Sequence, residues 1–326
     1  MDDATDLRNE IRKDYRTGRF VIIAPDRDRR PEDFFQSEKE PKIGIKCPFD
    51  PGNESMTTEI MRIGNPWKIR VVENKYPEFS PDIPLEEGSG KLEYISGYGY
   101  NEVLIDTPIH NLAFDKLKNE DMRLWLDALI EREANLYTKN YIKYVQIFKN
   151  SGPEAGESMV HPHTQIMAWP EIIGSIKDEI GRIKDYKDRY NKCLYEDLEE
   201  LEENRILLET DGVIAVAPYA SRFAGESMIV PKRHVNYLQD LTAEEKDDFV
   251  NTLKMILKVN RNLFGDLSYN LCFHDIKSEP DFHLHLEIYP RLSIPAGVEF
   301  GQDVFVNQLP PEVYTETFAQ KLKEVT

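Results

Sequence analysis

The chain has 326 residues, 40% hydrophobic and 31% charged. That is enough for two domains or one duplicated unit, and no run approaches the roughly 18 apolar residues of a membrane span. A formal net charge of −18 excludes extended contact with nucleic acid or an anionic membrane, because a phosphate backbone would be repelled; any bound phosphate must be small and locally compensated.

The opening stretch MDDATDLRNEIRKDYRTGRF lacks the apolar core and the small-residue cleavage site of a signal peptide. Three scattered cysteines, Cys47, Cys193 and Cys272, are too few for a disulfide framework. Both features lead us to expect a cytoplasmic protein. RFVIIAP, rich in β-branched residues, reads as a strand and runs into the basic turn DRDRRP. An Arg there can fork onto a phosphate, or the turn is a solvated surface. KIRVVEN, NEVLID and YIKYVQIFKN are further strands, and FDKLKNEDMRLWLDALIEREANLY is a helix. HPHTQ follows, at His161 to Gln165, behind the Gly- and Ser-containing stretch KNSGPEAGESMV. Residues 171–205 carry Ile176, Ile180, Ile183 and Leu194, Leu198, Leu201 at helical spacing and read as one or two connecting helices. RILLET, VIAVAP and SMIVP are strands, Thr242 with Glu245 is a capping box before a long helix, and YNLCFHD and FHLHLEIYP close a second sheet.

The two halves run in the same order. His110 precedes His161 by 51 residues and His234 precedes His283 by 49, each pair bracketing a helix and a strand. HPHTQ and HLHLE are therefore matching positions in a duplication. On a strand, residues two apart share a face, so His161, His163 and Gln165 are expected together, as are His283, His285 and Glu287. Buried imidazoles need partners, and two such pairs among seven histidines point to a functional site. A histidine can serve as base, nucleophile or metal ligand. Gly152 and Gly156 permit close backbone approach, and loop N–H groups with the Ser158 hydroxyl can cradle phosphate oxygens. A neutral imidazole beside a bound phosphate is set to attack phosphorus, with Gln165 donating to the developing charge. One histidine attacks and the other positions it.

The pattern N-x5-G-x-S-x2-HPHxQ, from Asn150 to Gln165, resembles the signature of galactose-1-phosphate uridylyltransferase, a branch of the histidine-triad superfamily. GRFVIIAPDRDRRP is similar to that family's N-terminal strand and arginines, CPFDPGNE to its first metal motif, and FHLHLEIYPR to its C-terminal half. The resemblance implies an α+β fold of two tandem histidine-triad-like domains, each an antiparallel sheet with flanking helices: 1–170, a helical connector 171–204, and 205–326. It implies that His163 is the nucleophile and Gln165 stabilises the intermediate. Asn150, Gly156 and Ser158 match phosphate-binding positions, Arg27 and Arg30 arginines near the nucleotide, and Asn74 a ribose or base contact. The implied reaction is a ping-pong exchange of UMP between UDP-glucose and galactose-1-phosphate, with UDP-galactose and hexose-1-phosphates as partners and a homodimer as the assembly. A nucleotide-sugar phosphorylase using ADP-glucose or UDP-glucose and inorganic phosphate is the alternative enzyme, and a non-catalytic nucleotide-binding scaffold the alternative of another class.

Two metal sites follow from the same resemblance. The first uses Cys47, His110 and His161, with Asp50 where the family has a second cysteine; zinc accepts a carboxylate oxygen in that place. The second joins His274, His283 and His285 to Glu179, with Asp178 as the nearby rival, a set suited to zinc or iron. Glu179 opens the connecting segment, so that metal would tie the halves together. His234 is left as a core residue or one that supports a site from behind. Asp50 and Lys75 depart from the bacterial enzymes' pattern, which bears on metal content and base preference.

Overall fold

The computed structural model describes residues 10–13, 20–23, 46–302 and 305–325. The predicted arginines Arg27 and Arg30 lie outside the described residues. Strands β1 (Glu10–Lys13), β2 (Phe20–Ile23), β5 (Glu87–Gly88) and β6 (Tyr94–Ser96) form a four-stranded sheet in the order β2-β1-β6-β5. The larger sheet takes β3 (Glu59–Ile63), β4 (Ile69–Glu73), β7 (Tyr100–Ile105), β8 (Tyr144–Ser151) and β9 (His163–Trp169) from the first half. From the second it takes β10 (Ile206–Glu209), β11 (Val213–Val216), β12 (Ser227–Pro231), β13 (Tyr269–His274) and β14 (His285–Pro290).

Its order is β10-β11-β12-β14-β13-β8-β9-β7-β4-β3, with every neighbouring pair antiparallel. Read outward from the β8–β13 junction, the two halves are the same five-strand arrangement. The duplication legible in the histidine spacing is thus a duplication of strand order. The second half does not close a sheet of its own. Its β13 pairs with β8 in the register Asn270↔Asn150 and Cys272↔Phe148, so one sheet runs through both halves.

Helix α1 (Asn119–Leu136) crosses between β7 and β8, and α4 (Ala243–Phe264) crosses between β12 and β13. The capping box expected at Thr242 is present: Glu245 N–H donates to Thr242 Oγ1 at 3.2 Å and Thr242 N–H to Glu245 Oε2 at 2.8 Å. Strand alternation divides the sheet into two faces. Ile166 and Ala168 of β9 and Val145 and Ile147 of β8 pack under the buried stripe of α1, Trp125, Leu126 and Leu129, in a core shared with Phe249, Leu253 and Ile256 of α4. Helix α6 (Pro311–Val325) joins that core through Tyr314 and Phe318.

The opposite face carries the histidines. Part of it is covered by α2 (Gly174–Tyr190), whose Ile176 and Ile183 pack with Trp169, Ile276 and Phe282. The predicted connector is α2 plus the single turn α3 (Leu198–Leu201), and a short α5 (Gly297–Gln302) precedes α6. No helix among the described residues is long and apolar enough to cross a membrane.

Candidate functional site

β8 and β9 are joined by a loop held in shape from within. Gly152 sits at φ 86°, and a Cβ there would meet the Ser268 hydroxyl at 2.1 Å, so only glycine fits. Its N–H donates to Glu157 Oε2 at 2.7 Å. Gly156, also left-handed at φ 80°, is exposed with open space around it, as is Ser158. Asn150 lies at the end of β8. Asn270 of the second half donates from one Nδ2 to Asn150 Oδ1 at 2.8 Å and to the Ala155 carbonyl at 2.9 Å, pinning the loop across the junction between halves. Asn270 drew no notice in the sequence; its only signal is a polar residue inside the apolar strand YNLCFH.

His161 precedes β9 in a bend, and His163 opens the strand, so the two rings do not follow simple strand alternation. His161, fully buried, lies with Nε2 2.8 Å from the Thr107 carbonyl. A carbonyl only accepts, so Nε2 carries the proton and Nδ1 keeps its lone pair. That lone pair faces Asp50 Oδ1 at 3.1 Å and Cys47 Sγ at 3.8 Å, and His110 Nδ1 comes within 2.7 Å of the same Asp50 oxygen. Cys47, Asp50, His110 and His161 bring one ligand atom each to within 4.8 Å of one another. One thiol, one carboxylate and two imidazoles converging in this way fit a closed tetrahedral cation site. Burial raises the Asp50 carboxyl, but the hydrogen bond and charge of His110 outweigh it and hold that carboxyl below its ordinary range. Burial pushes the Cys47 thiol up.

His163 has the other tautomer. Its Nδ1 lies 2.9 Å from the His161 carbonyl and must donate there, which leaves the Nε2 lone pair free. Burial, and then the positive charge of Lys149, lowers its basicity, so the ring is held neutral. Phe49 packs against both rings, with centroids 5.9 Å from His161 and 5.8 Å from His163. Gln165 shares the His163 face two residues along β9 and is partly exposed. Asn74 begins the loop after β4, where its Oδ1 accepts from the Tyr76 N–H at 3.0 Å. The adjacent Lys75 ammonium lies over the Tyr76 ring at 5.6 Å.

The second half repeats this construction with one correction to the expected ligand set. His283 does not join Glu179, His274 and His285. It precedes β14, its Nε2 donates to the Pro231 carbonyl at 2.8 Å, and its Nδ1 faces Cys193 Sγ at 3.8 Å. Cys193, His234 and His283 form one cluster, and Glu179, His274 and His285 another. The reason is that His283, like His161, stands before its strand begins, so strand alternation does not place its ring beside that of the following histidine. His234, expected in the core, donates through Nε2 to the Pro280 carbonyl at 2.8 Å and offers its other nitrogen to the cluster. The missed signal was a second C-x-[FY]-[DE] motif: Cys47, Phe49 and Asp50 recur as Cys193, Tyr195 and Glu196. Tyr195 takes the place of Phe49, with its ring centroid 5.1 Å from His283 and 5.2 Å from His285.

His285 holds the His163 position and the same Nδ1 bond, 2.9 Å to the His283 carbonyl, but its Nε2 is not free. Glu179 of α2 reaches it at 3.2 Å and meets His274 Nδ1 at 3.0 Å, while Tyr195 Oη donates to Glu179 at 2.8 Å. His274 Nε2 lies 3.2 Å from Glu287. Burial disfavours the charged His285, yet the Glu179 charge and hydrogen bond outweigh it and push the imidazole up to about 9. The position that is open at His163 is closed at His285 by a carboxylate from the connector.

Known proteins resemble this chain over most of its length. The family model described as galactose-1-phosphate uridyl transferase, N-terminal domain, matches residues 2–172. An ADP-glucose phosphorylase of Arabidopsis thaliana is 30% identical over 97% of this chain and 93% of its own. A galactose-1-phosphate uridylyltransferase of Thermotoga maritima is 30% identical over 93% of this chain and 95% of its own. A solved uridylyltransferase structure superposes with a TM-score of 0.81 at 27% identity, covering 97% of this chain and 99% of that one.

Proposed function

The chain belongs to the galactose-1-phosphate uridylyltransferase family, and from that premise we propose that it moves a nucleotidyl group from a nucleoside-diphosphate sugar to a phosphate acceptor through a covalent bond to His163. The observation that carries this reading is the free Nε2 of a buried, neutral His163 whose Nδ1 proton is already committed to the His161 carbonyl. In the first step the Nε2 lone pair bonds to the α-phosphorus, the bond from that phosphorus to the bridging oxygen breaks, and the hexose-1-phosphate leaves with the bond electrons. In the second, an acceptor phosphate oxygen bonds to the same phosphorus and the P–N bond returns its pair to His163. Gln165 and the Ser158 hydroxyl meet the charge on the transferring group; the Gly152, Glu154, Ala155 and Gly156 N–H groups, expected from the sequence to share that work, are spent on bonds within the fold. Asn150, fixed by Asn270, orients the same phosphates. Residues 1–170 are the transferring unit, 171–204 the connector and 205–326 the supporting unit.

Cys47, Asp50, His110 and His161 would hold zinc, and with all four donors supplied by the protein it would serve by fixing His161, and with it the carbonyl that receives the His163 proton. The second cation, zinc or iron, belongs with the second half's histidines.

UMP exchange between UDP-glucose and galactose-1-phosphate is the first reading of donor and acceptor. Phosphorolysis of ADP-glucose is the second, favoured by the ADP-glucose phosphorylase that matches 97% of this chain at 30% identity. Incubation with UDP-glucose or ADP-glucose, each with galactose-1-phosphate or inorganic phosphate, separates them. UDP-galactose formation supports the exchange; UDP or ADP released only with inorganic phosphate supports the phosphorylase. No turnover in any combination sinks both.

A further inference from the structure

Behind the His163 strand, on the face turned away from the reacting ring, lies a buried polar chain. Trp125 Nε1 donates to Thr164 Oγ1 at 3.0 Å, Thr164 Oγ1 donates to Asp106 Oδ1 at 2.8 Å, and Lys149 Nζ donates to Asp106 Oδ2 at 2.6 Å and to the His163 carbonyl at 2.9 Å. All four side chains are at most 2% exposed. The Lys149 ammonium also faces the Phe114 ring at 5.1 Å. Burying an ammonium and a carboxylate costs several kcal/mol per ion by desolvation, a cost that apolar residues of similar volume avoid.

The second half of the same chain shows that the fold does not need this network. Thr164 follows the second histidine of HPH, and Leu286 follows the second histidine of HLH. Phe148 pairs with Gln165 as Cys272 pairs with Glu287, which makes the next residues, Lys149 and Phe273, equivalent. Trp125 lies 15 residues after His110 and Phe249 lies 15 after His234. The end of β12, Val230 and Pro231, has no carboxylate where Asp106 follows β7. Leu286, Phe273 and Phe249 are all within 1% of full burial, and Phe249 stacks on Phe273 at 5.9 Å. One half thus packs this place with hydrocarbon, and the half with the open histidine packs it with an ion pair aimed at that histidine's own carbonyl.

From this asymmetry we infer that Lys149 is a positioning residue for nucleotidyl transfer, with Asp106, Thr164 and Trp125 as its support. Lys149 takes the His163 carbonyl from behind while Thr164 is held by Asp106 and Trp125. The peptide plane between residues 163 and 164 is thereby fixed, and with it the direction of the His163 Cα–Cβ bond. The ring is then held at two points, its backbone by Lys149 and its Nδ1 by the His161 carbonyl, and Nε2 is aimed before substrate arrives.

The inference rests on the covalent His163 reading, which the wild-type protein tests by itself: absence of α-phosphate label from UDP-glucose and ADP-glucose alike would remove that reading before any variant is made. The variant is Lys149→Met with Asp106→Asn, which leaves no unpaired buried charge. We expect a melting temperature near the wild type's, nucleotide-sugar binding unchanged by calorimetry, and a single-turnover labelling rate of His163 reduced on the order of 100-fold, the size of effect a misaimed reacting group produces. Thr164→Val, which keeps Lys149 but frees Asp106, should fall between the two and decides the matter if the double variant does not fold. A labelling rate per folded molecule equal to wild type in either variant, or a loss confined to KM, overturns the inference.

Discussion

His163 lies with Nδ1 2.9 Å from the main-chain carbonyl of His161, and this bond assigns different work to two rings two residues apart. The carbonyl can only accept, so His163 presents a bare Nε2, whereas His161 spends its Nε2 proton on Thr107 and turns Nδ1 toward Cys47 and Asp50. Covalent label from an α-phosphate-labelled nucleotide sugar should therefore reside on His163, as an acid-labile, base-stable adduct. His163→Gly should take no label and lose turnover; His161→Gly should still take label, slowly. Label absent from the second variant and present in the first would reverse the assignment. Gln165→Ala should slow transfer by roughly 3 kcal/mol if its amide acts as a preorganised donor, read as a loss of kcat.

The cation sites give a prediction that turns on His283. Its Nδ1 faces Cys193, not Glu179. Elemental analysis of Cys193→Ser, His234→Ala and His283→Ala should show the same single loss of metal, with Cys47→Ser losing a different equivalent and the Cys193, Cys47 double variant losing both. If His283→Ala tracks Glu179→Ala in metal content and not Cys193→Ser, the original grouping of His283 with His274 and His285 is restored.

Glu179 should matter for stability through its partners. It stands between His274 and His285, accepts from Tyr195, and joins α2 to the second half. Removing it takes from the fully enclosed His285 its contacting carboxylate and leaves His274 with Glu287 alone. Glu179→Ala should cost roughly 2–3 kcal/mol of unfolding free energy, below the usual range for a broken buried pair because the carboxylate is partly exposed. Tyr195→Phe should cost about 1 kcal/mol, the value of one hydrogen bond. Both are read from denaturant unfolding, and an unchanged midpoint in Glu179→Ala would show that the contact holds nothing.

What the sequence disclosed and what it withheld divide along a physical line. Alternating and helical periodicities placed β4, β7, β8, α1 and the capped start of α4, because those segments bury one face regardless of what lies above it. The duplication was legible because histidines are few. The continuity of the two halves through β8 and β13 was not, since a strand's own pattern does not name its neighbour. The divergence of His283 from His285 was hidden for a related reason: two residues apart means one face only inside a strand, and the first histidine of each pair stands just before it. The Lys149–Asp106 pair was invisible because a charged residue in a strand reads as solvent-facing until the helix over it is seen.

The final prediction concerns a buried acid on α1. Glu133 of α1 is fully buried, with no hydrogen-bond donor among the described residues on either carboxylate oxygen, and it faces Asp275 just beyond β13. Asp275 receives the Leu238 N–H on one oxygen at 3.2 Å and nothing on the other. Two ionised carboxylates cannot donate to each other, so the contact is a hydrogen bond only if one holds a proton. Burial first, and then the Asp275 charge, raises the Glu133 carboxyl well above its ordinary 4.5. The sign follows: above the ordinary value the unfolded chain has released this proton while the native state keeps it. The native state therefore binds more protons, and stability falls as pH rises through that window, by at most about 1.4 kcal/mol per pH unit. Glu133→Gln keeps the shape, needs no proton, and supplies an amide donor toward Asp275. Its melting temperature should match the wild type's near about pH 5 and exceed it increasingly toward about pH 8. Wild-type and variant curves that stay parallel across that range would show that Glu133 is ionised in the folded protein and that the proton is not shared.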